Sequence, residues 1–313
     1  MTMQHSGGEQ SLVSRLRNPP SRVMASLWLF GGMLGAPGLL GVLAAVFSAL
    51  ELEALAIACG AFAFVVFTGV VVLAWVFILR GRTHLQQAEQ AYFAGDFMTV
   101  TTRCFTVLRT VFRADYRATA LYLMALSAEK SGSFEEAARL FTRASDALPA
   151  MLSTLSARRV RALAYSHAAI NWAALGRVPD ARNALSLCHR ALGPQQSSLL
   201  DAFRMDDSHF GAAGLATLLN ELEGRRDPRP LAALAGAFVA LRNGDHYAAL
   251  DMVTRESPAL AYGLAPDERA LLTRIAGEAN MQLGSGDPHR SMARVDDEQY
   301  ASPWVDAMLA RRS

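Results

Sequence analysis

Seven histidines, three cysteines and one dense acidic run are the side chains that could do chemistry here, and their spacing decides against it. His5, His84, His167, His189, His209, His246 and His289 are scattered along the chain. No two form His-Glu-x-x-His, the helical spacing that turns two imidazoles and a carboxylate toward one metal. Cys59, Cys104 and Cys188 are odd in number and far apart, which makes neither a disulfide framework nor a zinc site. Each is expected to behave as a small buried apolar residue. The densest polar cluster, Asp206-Asp207-Ser208-His209, reads as a helix cap and turn. The Gly-rich phosphate loops and the Gly-x-Ser-x-Gly nucleophile elbow are absent from the sequence. The sequence therefore predicts no catalytic residue, no metal and no cofactor, and a chain that is not an enzyme. Its chemistry is expected to be recognition.

The elements that must position such recognition begin with an apolar N-terminal quarter. From Val23 to Leu79 the only charged residues are Glu51 and Glu53. Val23–Leu50 and Ala54–Leu79 are uncharged over 28 and 26 residues, and about 20 apolar residues cross the hydrocarbon core as a helix. The expectation is a two-helix transmembrane hairpin over 23–79, preceded by a flexible segment over 1–22. Arg15, Arg17 and Arg22 precede the first span, Arg80 and Arg82 follow the second, and the connecting loop has no basic residue. That asymmetry predicts both termini in the cytoplasm. Trp28 and Trp75 lie near the span ends that meet the cytoplasmic interface. Gly31, Gly35 and Gly38, with Gly32, Gly41 and Pro37 among them, permit close helix approach. They serve either to pack the two spans together or to dock on a membrane partner or a second copy. Neither span carries an internal ionisable residue, so transport finds no support.

Beyond the spans, Ala, Leu, Arg and Glu dominate, a composition that favours helix. Lys130 is the only lysine, which reads as the composition of a GC-rich bacterial genome. Thr83–Ser313 holds 25 basic and 25 acidic residues, a balance that excludes a dedicated nucleic-acid binder. This region repeats. In Ala118–Pro149, Leu121, Met124, Ala125 and Ala128 share one helical face, Ser131-Gly132-Ser133 make a turn, and Phe134, Ala137, Ala138, Phe141 and Ala144 share a second face. Further copies turn at Gly176 and Gly244, and weaker ones at Gly95 and Gly284. The turn glycines are 37, 44, 68 and 40 residues apart. The long interval predicts a degenerate unit over Gln195–Pro228.

The Ala118–Pro149 unit resembles the tetratricopeptide repeat (TPR). Leu121-x2-Met124-Ala125-x2-Ala128 stands for the family's Trp-x2-Leu-Gly-x2-Tyr, followed by Ala137-x3-Phe141 and Pro149. The period of that family is about 34 residues. The expected fold class is all-α, a transmembrane hairpin followed by a TPR-like α-solenoid over 83–294 and a C-terminal tail over 295–313.

The resemblance implies a concave surface lined by the first helix of each pair. Its expected lining is Tyr122, Leu126, Glu129 and Lys130; then Leu163, Ser166 and Ile170; then Leu231, Leu234, Phe238, Leu241 and Arg242. A mostly apolar groove of this kind would take a hydrophobic or amphipathic helix or peptide of another protein. Ser302–Leu309 forms a candidate helix with Trp304, Met308 and Leu309 on one face. It is expected to fold back and seal the last repeat or, in a sharper version, to occlude the groove. Arg103, Arg109, Arg113 and Arg117, and Arg158, Arg159 and Arg161, read as solvated helix faces or as contacts to anionic lipid. The expected function is a scaffold or adaptor anchored in the bacterial cytoplasmic membrane. The alternative is an accessory subunit of a membrane complex, recognised through its glycine-rich spans.

Overall fold

A computed structural model describes residues 36–49, 53–111, 114–148, 155–193, 227–255, 263–284 and 302–310. Every element among them is an α-helix. The chain divides into two compact units, one formed by 1–84 with 106–112 and the other by 85–105 with 113–313.

In the first unit, helix α1 spans Ala36–Ala49, and helix α2 begins at Glu53 and continues to Phe93. The sequence places a boundary near Arg80–Thr83, between the second span and the first repeat. The helix instead runs through it without a break. That stretch carries no proline, and its one glycine, Gly81, is tolerated inside a helix at modest cost. Thr83 Oγ1 donates back to Leu79 O at 3.1 Å and so stays within the helical ladder. Among the described residues no helix is long and apolar enough to cross a membrane; α1 has 14 residues. Gly38 and Gly41 have nothing within 4 Å of where a Cβ would stand. Gly31 and Gly35 lie outside the described residues.

Helix α3 is Phe97–Thr110. The second unit is then built from helical hairpins. Helices α4 (Ala114–Lys130) and α5 (Phe134–Ala147) form one pair, α6 (Leu155–Ala174) and α7 (Val178–Leu192) the next, and α8 (Arg229–Arg242) and α9 (His246–Arg255) a third. Helix α10 (Pro266–Gln282) follows, and α11 (Pro303–Ala310) ends the described chain. Each helix packs on its hairpin mate, and α5 on α6, α7 on α8 and α9 on α10 link successive pairs. The first helices also touch one another, α6 on α8 and α8 on α10.

One local device makes the four described hairpin turns and also ends α10. Gly95, Gly132, Gly176, Gly244 and Gly284 all have φ between 66° and 78°, a left-handed conformation that costs other residues about 1–2 kcal/mol. The glycine N–H donates to the carbonyl three residues back, and the next N–H reaches five back: Asp96 to Ala91, Ser133 to Ala128, Arg177 to Trp172 and Asp245 to Ala240, at 2.8–3.0 Å. This closes the last turn of one helix. The following residue starts the next helix: Asp96 and Asp245 carboxylates accept from Thr99 N and Ala248 N at 3.1 and 3.0 Å, satisfying first-turn donors.

Small residues set the spacing between helices. Ala125, Ala137, Ala138, Ala168, Ala169, Ala181 and Ala249 are buried, so helix axes approach closely, and Phe134, Phe141 and Phe238 fill the wider gaps between them. Helix α8 packs on both α6 and α7. The third hairpin therefore stacks directly on the second, and no interposed repeat separates them. The unit expected over Gln195–Pro228 lies outside the described residues apart from its end.

Two substitutions separate turn geometry from helix propensity. Gly176→Val should lower stability by roughly 1–2 kcal/mol, because φ there is +73°. Gly277→Ala, inside α10 with nothing within 4 Å of the added methyl, should raise it by about 0.5–1 kcal/mol. Thermal unfolding of the full chain in detergent reads both signs, and equal effects would refute the turn assignment.

Candidate functional site

The first helices α4, α6, α8 and α10 converge on a common inner face. Ten consecutive residues of α4, Ala118–Ser127, are all buried. A helix covered on one side alone would expose residues every third or fourth position; α4 is covered all round.

Its C-terminal end carries a buried polar cluster. Glu129, His167 and Asn171 are exposed by only 4%, 5% and 0%. Glu129 Oε2 accepts from Asn171 Nδ2 at 2.8 Å, and the same Nδ2 donates to His167 O at 2.8 Å. His167 Nδ1 lies 3.2 Å from Glu129 Oε2. The His167 ring stacks on Phe141, centroids 4.7 Å apart and 11° from parallel, and Tyr122 meets Phe141 edge-on at 5.1 Å. The cluster thus ties α4 and α5 to α6. A carboxylate this deep is tolerated only with donors around it, so the arrangement fixes how the first two hairpins meet.

Helix α11 lies on the inner face. It packs on α10 and on α6, and Trp304, Val305 and Met308 are buried. Arg242, at the end of α8, donates from Nη2 to Met308 O at 2.8 Å and Leu309 O at 3.4 Å. A guanidinium there satisfies last-turn carbonyls and opposes the negative end of the helix dipole. Lys130, at the end of α4, stands 5.4 Å from the Trp304 ring centroid and pairs with Asp267 Oδ2 at 2.7 Å in the first turn of α10. Helix α11 therefore meets the first helix of all four units. Sealing the last repeat alone would require contacts to α10 only.

The residues expected to line the groove are, but for two, buried in the structure. Tyr122, Leu126, Glu129, Leu163, Ser166, Ile170, Leu231, Leu234, Phe238 and Leu241 are all buried. Only Lys130 and Arg242 retain substantial exposure, and both engage α11. Ser166 is directed into its own hairpin, its Oγ 3.2 Å from Cys188 Sγ. The reason is burial: the first helices are apolar on several faces, and spacing by itself does not say which face a neighbour takes.

Several arginines act inside the fold. Arg158 donates from Nε to Ala191 O at 3.1 Å and from Nη2 to Gly193 O, closing the C-terminal end of α7. Arg161 Nη2 donates to Leu148 O at 3.1 Å beyond α5. Arg177 stacks 4.2 Å above Trp172. Sequence reasoning treated Arg158 and Arg161 as solvated or lipid-facing; their carbonyl partners are 13 to 35 residues away, beyond the reach of local patterns. It also missed Asn171, although the four-residue spacing from His167 puts both on one helix face.

Burial pushes the Cys104 thiol up to about 12, and burial also raises Cys188 despite the Ser166 hydroxyl. Neither is a nucleophile near neutral pH. Among the described residues no group of His, Cys, Asp and Glu side chains could hold a metal ion. The cluster at Asp206–His209 lies outside them. The chain matches no protein-family model, no curated protein and no solved structure, so its functional reading rests on this geometry.

Glu129→Ala should cost roughly 1–3 kcal/mol by stripping the acceptor from buried donors. Combined with Asn171→Ala, its coupling should exceed about 0.5 kcal/mol; strict additivity in unfolding experiments would contradict the network. Cys104 should react with iodoacetamide at pH 8 only after unfolding, and rapid labelling of the native protein would contradict its burial.

Proposed function

We propose that this chain is a membrane-anchored scaffold whose cytoplasmic, TPR-like stack of helical hairpins binds an amphipathic helix of another protein on its inner face. One observation carries the reading: that face seats an amphipathic helix, the chain's own α11, by burying Trp304, Val305 and Met308 and capping its last carbonyls with Arg242. A surface that accepts one such helix has the apolar seat and the terminal cation that helix-in-groove recognition uses.

The anchor is supported by α2. Ala54–Leu79 is an uncharged stretch of 26 residues lying inside that helix, and its large side chains point outward: Ile57 is 72% exposed and Phe64 70%. Apolar surface of this extent calls for lipid or protein cover. Arginines flanking the spans and absent from their loop orient both termini to the cytoplasm of a bacterial inner membrane. No catalytic role is assigned.

The expected outcome of alkaline carbonate washing is full retention in the membrane fraction, and release would remove the anchor from the account. Replacing Val23–Leu79 with an unrelated two-helix hairpin should leave the set of proteins crosslinked to the cytoplasmic region unchanged. Loss of that set would instead favour an accessory subunit recognised through its spans.

A further inference from the structure

The seat of α11 is incompletely matched to its occupant. Trp304 is buried, yet its Nε1–H has no acceptor among the described residues, and the Oδ1 of fully buried Asn171 has no donor. Asn171 lies on α6, which α11 touches, and bonds to Glu129, the neighbour of Lys130, whose ammonium approaches the Trp304 ring. An indole donor on α11 and an amide acceptor on α6 are thus both buried, and neither is used among the described residues. Buried polar groups are otherwise almost always paired, and leaving them unpaired weakens the contact that buries them. The helix is also short, eight residues, and a segment of that length holds helical form only while docked. Against this stand the two cations. Arg242 and Lys130 come from different hairpins, and both reach α11. The face therefore has a defined direction, with a helix C-terminus under Arg242 and an aromatic ring under Lys130.

We propose that α11 is a resident, displaceable occupant of the inner face. The partner it gives way to is an amphipathic helix with an aromatic residue one turn before a Met or Leu, its C-terminal end toward Arg242. This deepens, and rests on, the reading of the inner face as the partner-binding surface. Occupancy by α11 lowers the apparent affinity of any competitor by the fraction of time the face is open. Partner binding and release of the C-terminal segment are then one equilibrium.

The probe is a fluorescein-labelled peptide of the sequence Ser302–Ser313, added to the full-length protein in detergent. Wild type should bind it weakly. The variant Trp304→Ala/Met308→Ala, whose own α11 is weakened, should bind it on the order of 10- to 100-fold more tightly, and unlabelled peptide should compete. Equal binding to wild type and variant, or none to either, overturns the proposal. So does cooperative melting of the hairpins in the variant, since α11 would then be a part of the core. A concentration-dependent dimer that exchanges α11 between copies overturns it as well. Hydrogen exchange on the wild type provides a reading free of mutation: α11 amides should exchange faster than those of α10, and protection in concert with α10 is the contrary result. If the peptide discriminates between the proteins while the hairpin exchange abolishes crosslinking, displacement stands and the adaptor reading falls.

Discussion

Helices that are apolar on every side have to be covered on every side, and this requirement organises the second unit. In α4 the run Ala118–Ser127 offers no polar stripe to water. Its hairpin mate α5 covers one flank, and Tyr122, Phe141 and His167 carry the contact onward toward α6. Toward the inner face, helix α11 packs on α10 and α6 and reaches the end of α4 through Lys130 and Trp304. It buries Trp304, Val305 and Met308, of which Val and Met are each worth about 1.5–3 kcal/mol when fully removed from water. The same burial that lets a stack of hairpins hold together makes its inner face adhesive.

Polar groups then give that adhesive face its register. Glu129 is taken out of water at the end of α4 and is tolerated because Asn171 donates to it. One residue further, Lys130 remains half-exposed and reaches both Asp267 on α10 and the Trp304 ring. Neighbouring positions on one helix thus serve inward locking and outward capture. Arg242 does the second job at the end of α8. Charge placed at helix ends, where free carbonyls and N–H groups collect, recurs as the means of joining elements distant in the chain; Arg158 and Arg161 use it too.

What could be read from residues alone followed how local the physics was. All five turn glycines were legible because a left-handed φ leaves little choice of residue, and after Gly95, Gly132 and Gly244 an Asp or Ser starts the next helix. The helical character and the paired apolar faces around Phe134 and Phe141 were legible for the same reason. Burial of the inner-face residues was not, since Tyr122, Ile170 and Phe238 look the same in sequence whether they meet a partner protein or the chain's own helices. The direct seating of α8 on α6 and α7 was hidden by a 68-residue interval between turn glycines that happens to equal two repeat periods. The continuous helix Glu53–Phe93 was hidden by the arginines at 80 and 82, which mark a change of environment and not a break in backbone. The Glu129–Asn171 pair joins residues 42 apart, and no local pattern reports a contact of that span.

The central claim is that the C-terminal helix covers the inner face formed by the first helices. Spin labels at Ser131 and Ala310, both exposed, sit beside Lys130 and at the end of α11, on the two sides of that contact. Pulsed dipolar spectroscopy on the full-length protein in detergent should return a single, narrow, short distance. A broad distribution extending to the limit of detection, as from a tail that leaves the hairpins untouched, would contradict the account.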